Sequence, residues 1–313
     1  CLFLLVLSAV VGAFATSFPL LVVARVMAGA AAGGVFPVSM AVYGDLVPVR
    51  DRQVVMGRLL TASISGMFAG SALSGLLADF VHWRGIFVVY GGGIAVAAVG
   101  AALALRGVPL SPPRRVNVAA MLDSYAQVWR NPRSKICYLA VFLEGVALVG
   151  LFPFVAVLLA ATGEPRASIA GLVLAAFPLG GVVYALAVGR LVPRFSTYAL
   201  MVTGGLLASA ALVAQAAIPP WPAQVAIFAL MGFGFYVLHG CILVQMTELA
   251  PEARGTAVAG HALAYFSGQA VGPVVYGLGI AAVGPSVTIL AAALTMALVA
   301  VVTAQLLHGR GRT

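Results

Sequence analysis

The sequence predicts an all-α polytopic membrane protein, a bundle of about ten transmembrane helices. Three observations support this fold class. Of the 313 residues, 63% are apolar before the 36 glycines are counted, whereas soluble domains total about 45–50% with glycine included. Only 8% of the residues are charged, and a water-soluble chain carries about 25%. Finally, apolar runs long enough to cross a bilayer recur along the whole chain.

The ten predicted spans are apolar runs of about 18 to 28 residues, and each can cross a hydrocarbon core of roughly 30 Å at about 1.5 Å per residue. Most gaps between them are short and contain the Pro and Gly residues typical of turns. In chain order the spans are 1–17, 20–46, 54–78, 85–105, 136–160, 168–190, 196–217, 223–247, 255–282 and 286–307.

The longest polar stretch, 106–135, divides four predicted helices from six. It begins with several prolines and continues as a short amphipathic segment. We therefore predict an N-terminal half of four helices at 1–105, a cytoplasmic linker at 106–135 and a six-helix C-terminal half at 136–313.

Basic residues lie mostly on one side of the predicted membrane. If 106–135 is cytoplasmic, fourteen of the seventeen Lys and Arg residues fall on that side, whereas Arg84 and Arg166 fall on the other and Arg25 lies inside a span. Cytoplasmic loops carry such an excess of Lys and Arg. The bias explains the net charge of +9 without nucleic acid as a partner. It predicts a multi-pass protein of the cell membrane with both termini of this chain in the cytoplasm.

An internal repeat becomes visible when the chain is aligned with itself after a shift of about 202 residues. The acid-Leu-x-Pro turn at 45–48 recurs at 248–251 between two glycine-bearing helices. Two parallel repeats of six helices are a known transporter architecture. With four helices before the linker, and Cys1 in place of a starting Met, we expect two helices to be missing from the front. The other matched pairs are Gly29 and Gly232, Arg52 and Arg254, Gly66 and Gly268, Gly70 and Gly272, and Gly75 and Gly277.

Several motifs resemble those of the major facilitator superfamily, particularly its drug:proton antiporter branch. The fourth-helix motif L-x-x-x-R-x-x-x-G is matched with its arginine at Arg25 and its last glycine at Gly29. The fifth-helix antiporter motif G-x-x-x-G-P-x-x-G-G resembles residues 66–75, although serine replaces its proline and one glycine. The repeat copy at 268–277 keeps the proline as Pro273.

The resemblance covers essentially the whole chain, as helices three to twelve of a twelve-helix pattern. It implies two helical halves that rock about a central site. Further matches are the W-R-x-x-F turn at Trp83, Arg84 and Phe87, and a weaker copy of the family's G-x-x-x-D-R-x-G-R loop at Gly189, Arg190 and Arg194.

Two charged residues inside predicted spans are candidates for translocation. A charge in hydrocarbon costs at least about 2.5–3.5 kcal/mol on insertion scales, so intramembrane ionisable residues are functional candidates. In the family, the arginine matched by Arg25 is implicated in proton handling, often beside an acid of the first helix; alternatively its side chain snorkels to the outer interface. Glu144, the acid well inside a span, is predicted to carry a coupling proton or meet a cationic substrate. The alternative is a protonated Glu144 bonded to a neighbouring helix for structure alone.

His239 lies at a depth similar to that of Glu144, and the resemblance places both of their helices along the central cavity. A Glu144–His239 pair is therefore one expectation, and a lone His239 packed by backbone contacts is the other. Tyr43 and Tyr236 are further candidates, as are His261 and Gln269. The motif glycines either allow close helix packing or form a flexing seam for alternating access.

The sequence shows no catalytic motif, such as G-x-S-x-G or H-E-x-x-H, and no Walker loop. We expect neither enzymatic activity nor a cofactor or metal. The function predicted is secondary transport, with a small organic compound exported in exchange for protons by a monomer in the lipid bilayer. The alternatives are proton-coupled uptake on the same fold and a non-transporting membrane sensor or assembly protein.

Overall fold

The computed structural model describes residues 1–47, 52–108, 118–249 and 253–308, and within these ranges the chain is helical with no strand. The helices are α1 (Leu2–Ala13), α2 (Phe18–Leu46), α3 (Arg52–Phe80), α4 (Trp83–Ala104), α5 (Val118–Arg130), α6 (Pro132–Ala147), α7 (Val155–Ala161), α8 (Ala167–Leu191), α9 (Thr197–Ala216), α10 (Trp221–Leu249), α11 (Arg254–Val283) and α12 (Pro285–His308), with a 3₁₀ segment (Val149–Phe154) between α6 and α7.

The helices occupy all ten predicted spans and confirm the all-α membrane fold. Among the described residues, eight spans are long and apolar enough to cross a membrane, with α6, the 3₁₀ segment and α7 forming one of them. The first predicted span falls short because α1 has 12 residues. The third, α3, is 29 residues long, but its several Ser, Gly and charged residues lower its hydropathy.

The internal repeat has a direct counterpart in the helix boundaries. Helix α2 begins and ends 203 residues before α10, and α3 begins 202 residues before α11. The matched residues of the sequence repeat show the same two offsets, 203 residues for Gly29 and Gly232 and 202 residues for Arg52 and Arg254. The two-repeat architecture predicted from the sequence is thus consistent with the fold.

The chain forms two compact units, residues 1–114 and 115–313. In the first, α1 packs against α2 and α4. In the second, α9 packs against α10 and α12, α10 packs against α8, and α6 packs against α11. The amphipathic helix α5, which lies within the predicted linker, packs against α6 and α11 and so belongs to the second unit.

The span from Pro132 to Ala161 is broken rather than continuous. Its α-helical hydrogen bonding stops after Ala147, and a 3₁₀ segment containing Pro153 follows. Proline lacks an N–H group and removes one α-helical hydrogen bond, which favours a kink or a break. The Tyr276 hydroxyl of α11 donates to the Ala147 carbonyl at 2.7 Å, which satisfies a backbone group at the break. Broken helices inside a membrane need such neighbours.

Candidate functional site

Glu144 and His239 form a buried contact between α6 and α10. Glu144 is completely buried, and its Oε2 atom lies 2.7 Å from Nδ1 of His239. The His239 side chain is 18% exposed. Of the two expectations for His239, the structure shows the pair rather than a histidine packed by backbone contacts.

His261 of α11 extends the pair to three residues. Its Nε2 atom lies 3.2 Å from Nε2 of His239, and its own side chain is buried. Both ring nitrogens of His239 are therefore engaged, one by a carboxyl group and one by an imidazole. We call Glu144, His239 and His261 the Glu-His-His cluster.

Aromatic rings surround the middle of this cluster. The ring of His239 lies 4.7 Å from that of Phe235 and 4.9 Å from that of Tyr265, between ring centroids. Tyr236, a predicted candidate, packs edge-on against Phe235 at 5.1 Å. These rings limit the access of water to the polar atoms, so the cluster lies in largely apolar surroundings.

Glycines bring α6 and α11 close enough for the cluster to form. A Cβ atom on Gly268 would overlap the carbonyl oxygen of Phe142, and one on Gly145 would approach the carbonyl of Tyr265. Further along, Gly272 packs against Gly150 of the 3₁₀ segment. Because neither helix carries a side chain at these points, the two backbones are in direct contact.

The N-terminal unit holds a second polar region, around Arg25 of α2. The Arg25 guanidinium carbon lies 4.5 Å from the centroid of the Phe87 ring, an arrangement worth about 0.5–1 kcal/mol at an exposed site. Arg25 lines a cavity of about 340 Å³ together with Ser74 and Tyr90. The Tyr90 hydroxyl donates to the Gly70 carbonyl at 2.8 Å. Arg25 thus faces a mainly apolar cavity within this unit, in which Ser74 and Tyr90 supply hydroxyl groups.

Comparison with known families identifies the chain. The sequence pattern of the Major Facilitator Superfamily matches residues 1–273 and, in a second match, residues 137–312. The chain belongs to the Major Facilitator Superfamily. Members of this superfamily are membrane transporters, and the fold described above agrees with that membership.

Two bacterial relatives illustrate the range of similarity. The chloramphenicol resistance protein of Streptomyces lividans is 30% identical over 210 residues, which cover 63% of this chain and 50% of that protein. The MFS-type transporter YfhI of Bacillus subtilis is 23% identical over 256 residues, which cover 81% of this chain and 62% of that protein. This major facilitator chain therefore spans about half of the first relative's length and 62% of the second's.

Solved transporter structures share the fold. The fucose:proton symporter FucP of Escherichia coli matches with a TM-score of 0.66 and 15% identity, over 98% of this chain and 82% of its own. A bacterial homologue of the human lysosomal transporter Spinster, solved inward-facing and unoccupied, matches with a TM-score of 0.65 and 17% identity, over 98% and 80%. At these identities the likeness shows the major facilitator fold alone.

The two copies of the major facilitator glycine motif have different surroundings. Gly268 and Gly272 pack against the backbone of the α6 span, and Gly277 is in ordinary contact with Phe154. No atom of the described residues lies within 4 Å of a Cβ built on Gly66 or Gly70. Close helix packing therefore accounts for Gly268 and Gly272 of the second copy.

The remaining predicted residues are spread over several elements. Pro273 lies inside α11, and Gly75 is buried in α3. Gly29, Gly189, Arg190 and Arg194 are exposed; Gly189 and Arg190 lie in the last turn of α8, and Arg194 follows that helix. The side chain of Tyr43 lies outside the residues whose side chains the structure describes.

His261 was a minor candidate in the sequence, whereas the structure places it in contact with His239. It lies seven residues after the start of α11, whereas His239 lies ten residues before the end of α10. These two ends are joined by the short segment 250–253, so both histidines have a similar depth on neighbouring antiparallel helices. That spacing was the available signal for their contact.

Proposed function

We propose that this chain belongs to a secondary transporter that exports a small organic compound in exchange for protons, with Glu144 as the site that holds the coupling proton. The supporting observation is a completely buried carboxyl group within hydrogen-bonding distance of an imidazole. Both groups exchange protons, and buried carboxylates inside membranes mark proton pathways.

Two atoms of this contact can hold a proton, Oε2 of Glu144 and Nδ1 of His239. With the proton on Glu144, its Oε2–H donates to Nδ1 of His239. Without it, Nδ1–H of His239 donates to the carboxylate, and the short contact persists with its direction reversed. Either state keeps Oε2 hydrogen-bonded, and this bond lowers the cost of burying the carboxylate that remains when the proton leaves.

Export is favoured over uptake by the likeness to the chloramphenicol resistance protein. Resistance to a small organic antibiotic is what an exporter of such compounds would confer. The fold also serves a fucose:proton symporter, so uptake is the competing function. Chloramphenicol is accordingly the first probe for this chain.

The test uses the full-length protein in inside-out membrane vesicles with an acidic interior. Export into the vesicle lumen, driven by protons leaving it, should accumulate labelled chloramphenicol or another compound of a chemically varied panel. Collapse of the pH gradient should remove the accumulation. Accumulation that does not depend on the pH gradient would contradict proton coupling.

We further propose that the protein lies in the cell membrane, as a monomer, with the α5 side in the cytoplasm. Exposed residues on opposite sides test this orientation: Gln127 of α5 and Thr162 after α7. In a chain with its native cysteines replaced, Thr162→Cys should react with an impermeant maleimide on intact cells. Gln127→Cys should react only after permeabilisation. Labelling of both residues on intact cells would contradict the topology.

Arg25 is proposed as a fixed positive charge of the N-terminal half that takes part in coupling. Arg25→Ala should abolish pH-driven accumulation, whereas Arg25→Lys should retain part of it, because lysine keeps the charge but loses the planar fork of five donors. Arg166→Ala, in an exposed loop, is the matched control and should transport normally. Normal transport by Arg25→Ala would remove Arg25 from the coupling machinery.

A further inference from the structure

Buried polar atoms without a hydrogen-bond partner are concentrated along α6 and its contact with α11. The structure gives five such side-chain atoms among its described residues. One, Oε1 of Gln215, lies on α9. The other four lie on α6 or α11 and are Ser134 Oγ, Tyr138 OH, Glu144 Oε1 and His261 Nδ1. Buried polar groups are normally hydrogen-bonded to protein or ordered water, so this concentration calls for an explanation.

These atoms are ordered by depth from one end of the bundle. The start of α6 and the end of α10 are level, because the Asn131 side chain donates to the Leu249 carbonyl at 3.3 Å. At about 1.5 Å per residue, Glu144 lies about 18 Å from this end, His239 about 15 Å and His261 about 10 Å. The Glu-His-His cluster therefore runs from the middle of the span toward this end, with His261 as the outermost member.

The series continues beyond His261. The Tyr138 hydroxyl lies 2.5 Å from the position of a Cβ built on Gly260, and Gly260 directly precedes His261. Ser134, one helical turn before Tyr138, is fully buried and lies near the start of α6. Hydroxyl groups both donate and accept, so each can pass a proton on through water.

We propose that His261 is the exit through which the coupling proton leaves Glu144 toward the α5 side of the membrane, with Tyr138 and Ser134 lining the rest of the path. This inference rests on the proposed function, in which Glu144 holds that proton and the α5 side is cytoplasmic. His239 is the link between the two, since it contacts both.

The transfer balances as three proton movements in one direction. In the loaded state, Oε2–H of Glu144 donates to Nδ1 of His239, Nε2–H of His239 donates to Nε2 of His261, and His261 carries its proton on Nδ1. Nδ1 of His261 then releases its proton toward Tyr138. The Nε2 proton of His239 moves to Nε2 of His261, and the Glu144 proton moves to Nδ1 of His239.

The unloaded state holds one proton fewer, and both imidazoles are neutral in each state. Glu144 is now a carboxylate that accepts from His239, and His239 accepts from His261. The same two contacts, at 2.7 and 3.2 Å, serve both states because only the direction of donation changes. Both histidines must change tautomer whenever Glu144 gains or loses its proton.

Three tyrosines of the described residues also lie around the cluster, Tyr265 of α11, Tyr236 of α10 and Tyr138 of α6, and Cys241 lies two residues after His239. Among the described residues, the ionisable group in contact with the Glu144 carboxyl group is the His239 imidazole. We therefore expect the tautomers of both histidines to depend on the protonation state of Glu144.

The first test measures tautomers. In the full-length protein, ¹⁵N NMR of labelled histidine should show His261 changing from the Nδ1–H to the Nε2–H form. The change should have the same pH midpoint as loss of the Glu144 carboxyl band in infrared spectra, assigned by its absence in Glu144→Gln. In Glu144→Gln, His261 should keep one tautomer throughout. A single His261 tautomer across the Glu144 titration in the unsubstituted protein would overturn the proposal.

The second test measures rate and sidedness. In this test the pH on the α5 side of reconstituted vesicles is raised suddenly. The infrared band of the protonated Glu144 carboxyl group should then disappear more slowly in His261→Gln than in the unsubstituted protein, with the same final extent. Tyr138→Phe keeps the ring that stacks on Trp129 and loses only the hydroxyl, so it should also slow the change. His82→Gln, on the outer turn, is the matched control and should keep the original rate.

Unchanged rates in both variants, or slowing confined to jumps on the opposite side, would overturn the exit path. Failure of the proposed function is a separate outcome. If Glu144→Gln keeps pH-driven transport, Glu144 does not hold the coupling proton, whatever the tautomers do. If Glu144→Gln loses it while His261→Gln and Tyr138→Phe keep the original rates, the function stands and the exit lies elsewhere.

Discussion

Glu144→Gln should abolish pH-driven accumulation of substrate while the protein still folds and reaches the membrane. Glutamine has nearly the shape of glutamate and can still hydrogen-bond His239, but it cannot carry the proton. The Glu144 side chain is completely buried, and a neutral amide is accommodated there at least as well as a carboxylate. The measurement is accumulation in inside-out vesicles with an imposed pH gradient, alongside the amount and thermal stability of purified protein.

Glu164→Gln is the matched control, because Glu164 pairs with Arg166 in a loop and should be dispensable for transport. Substrate exchange without a pH gradient provides a second readout. It should persist in Glu144→Gln, since exchange requires the conformational change but no net proton transfer. A Glu144→Gln protein whose accumulation still depends on the pH gradient would assign the coupling proton to another group.

Gly268→Ala should strongly destabilise the second unit. A Cβ atom there would overlap the Phe142 carbonyl, which belongs to the backbone of α6 and cannot rotate away. Overpacking of this kind costs about 1–3 kcal/mol and occasionally more. The α6–α11 contact that supports the Glu-His-His cluster would open, so we expect a lower unfolding temperature together with loss of transport.

Gly277→Ala, on the same helix, is the matched control. Its Cβ would be in ordinary contact with Phe154, at 3.6 Å, and replacing glycine by alanine inside a helix is favourable by up to about 1 kcal/mol. Its unfolding temperature should therefore be unchanged or slightly higher. Equal stability of the two variants would show that the α6–α11 backbones are less closely packed than described.

Most of the fold could be predicted from the sequence because the bilayer imposes simple rules on length and hydropathy. The spans and the offset of about 202 residues depend on composition and spacing alone, and both have counterparts in the helix boundaries. The break after Ala147 was missed. Pro153 was its signal, but the Tyr276 hydroxyl that satisfies the Ala147 carbonyl comes from a helix more than 100 residues later.

The candidate site could be predicted only in part. Glu144 stands out because an acid inside a span is costly, and a similar depth made His239 a possible partner. Depth alone does not give the rotation of a residue about the helix axis, so the sequence left both a pair and a lone histidine packed by backbone contacts open. The contact with His261 depends on the close approach of α11 to α6, which is set by the glycines at Gly145 and Gly268.

The most direct test of proton exchange is to follow both fluxes at once. Vesicles containing the full-length protein and an entrapped pH dye would be given a gradient of chloramphenicol, or of a panel compound shown to be transported, with no pH gradient. Protons should move opposite to the compound, and Glu144→Gln should show no proton movement. Protons moving with the compound, or a compound flux with no proton movement, would contradict proton-coupled export.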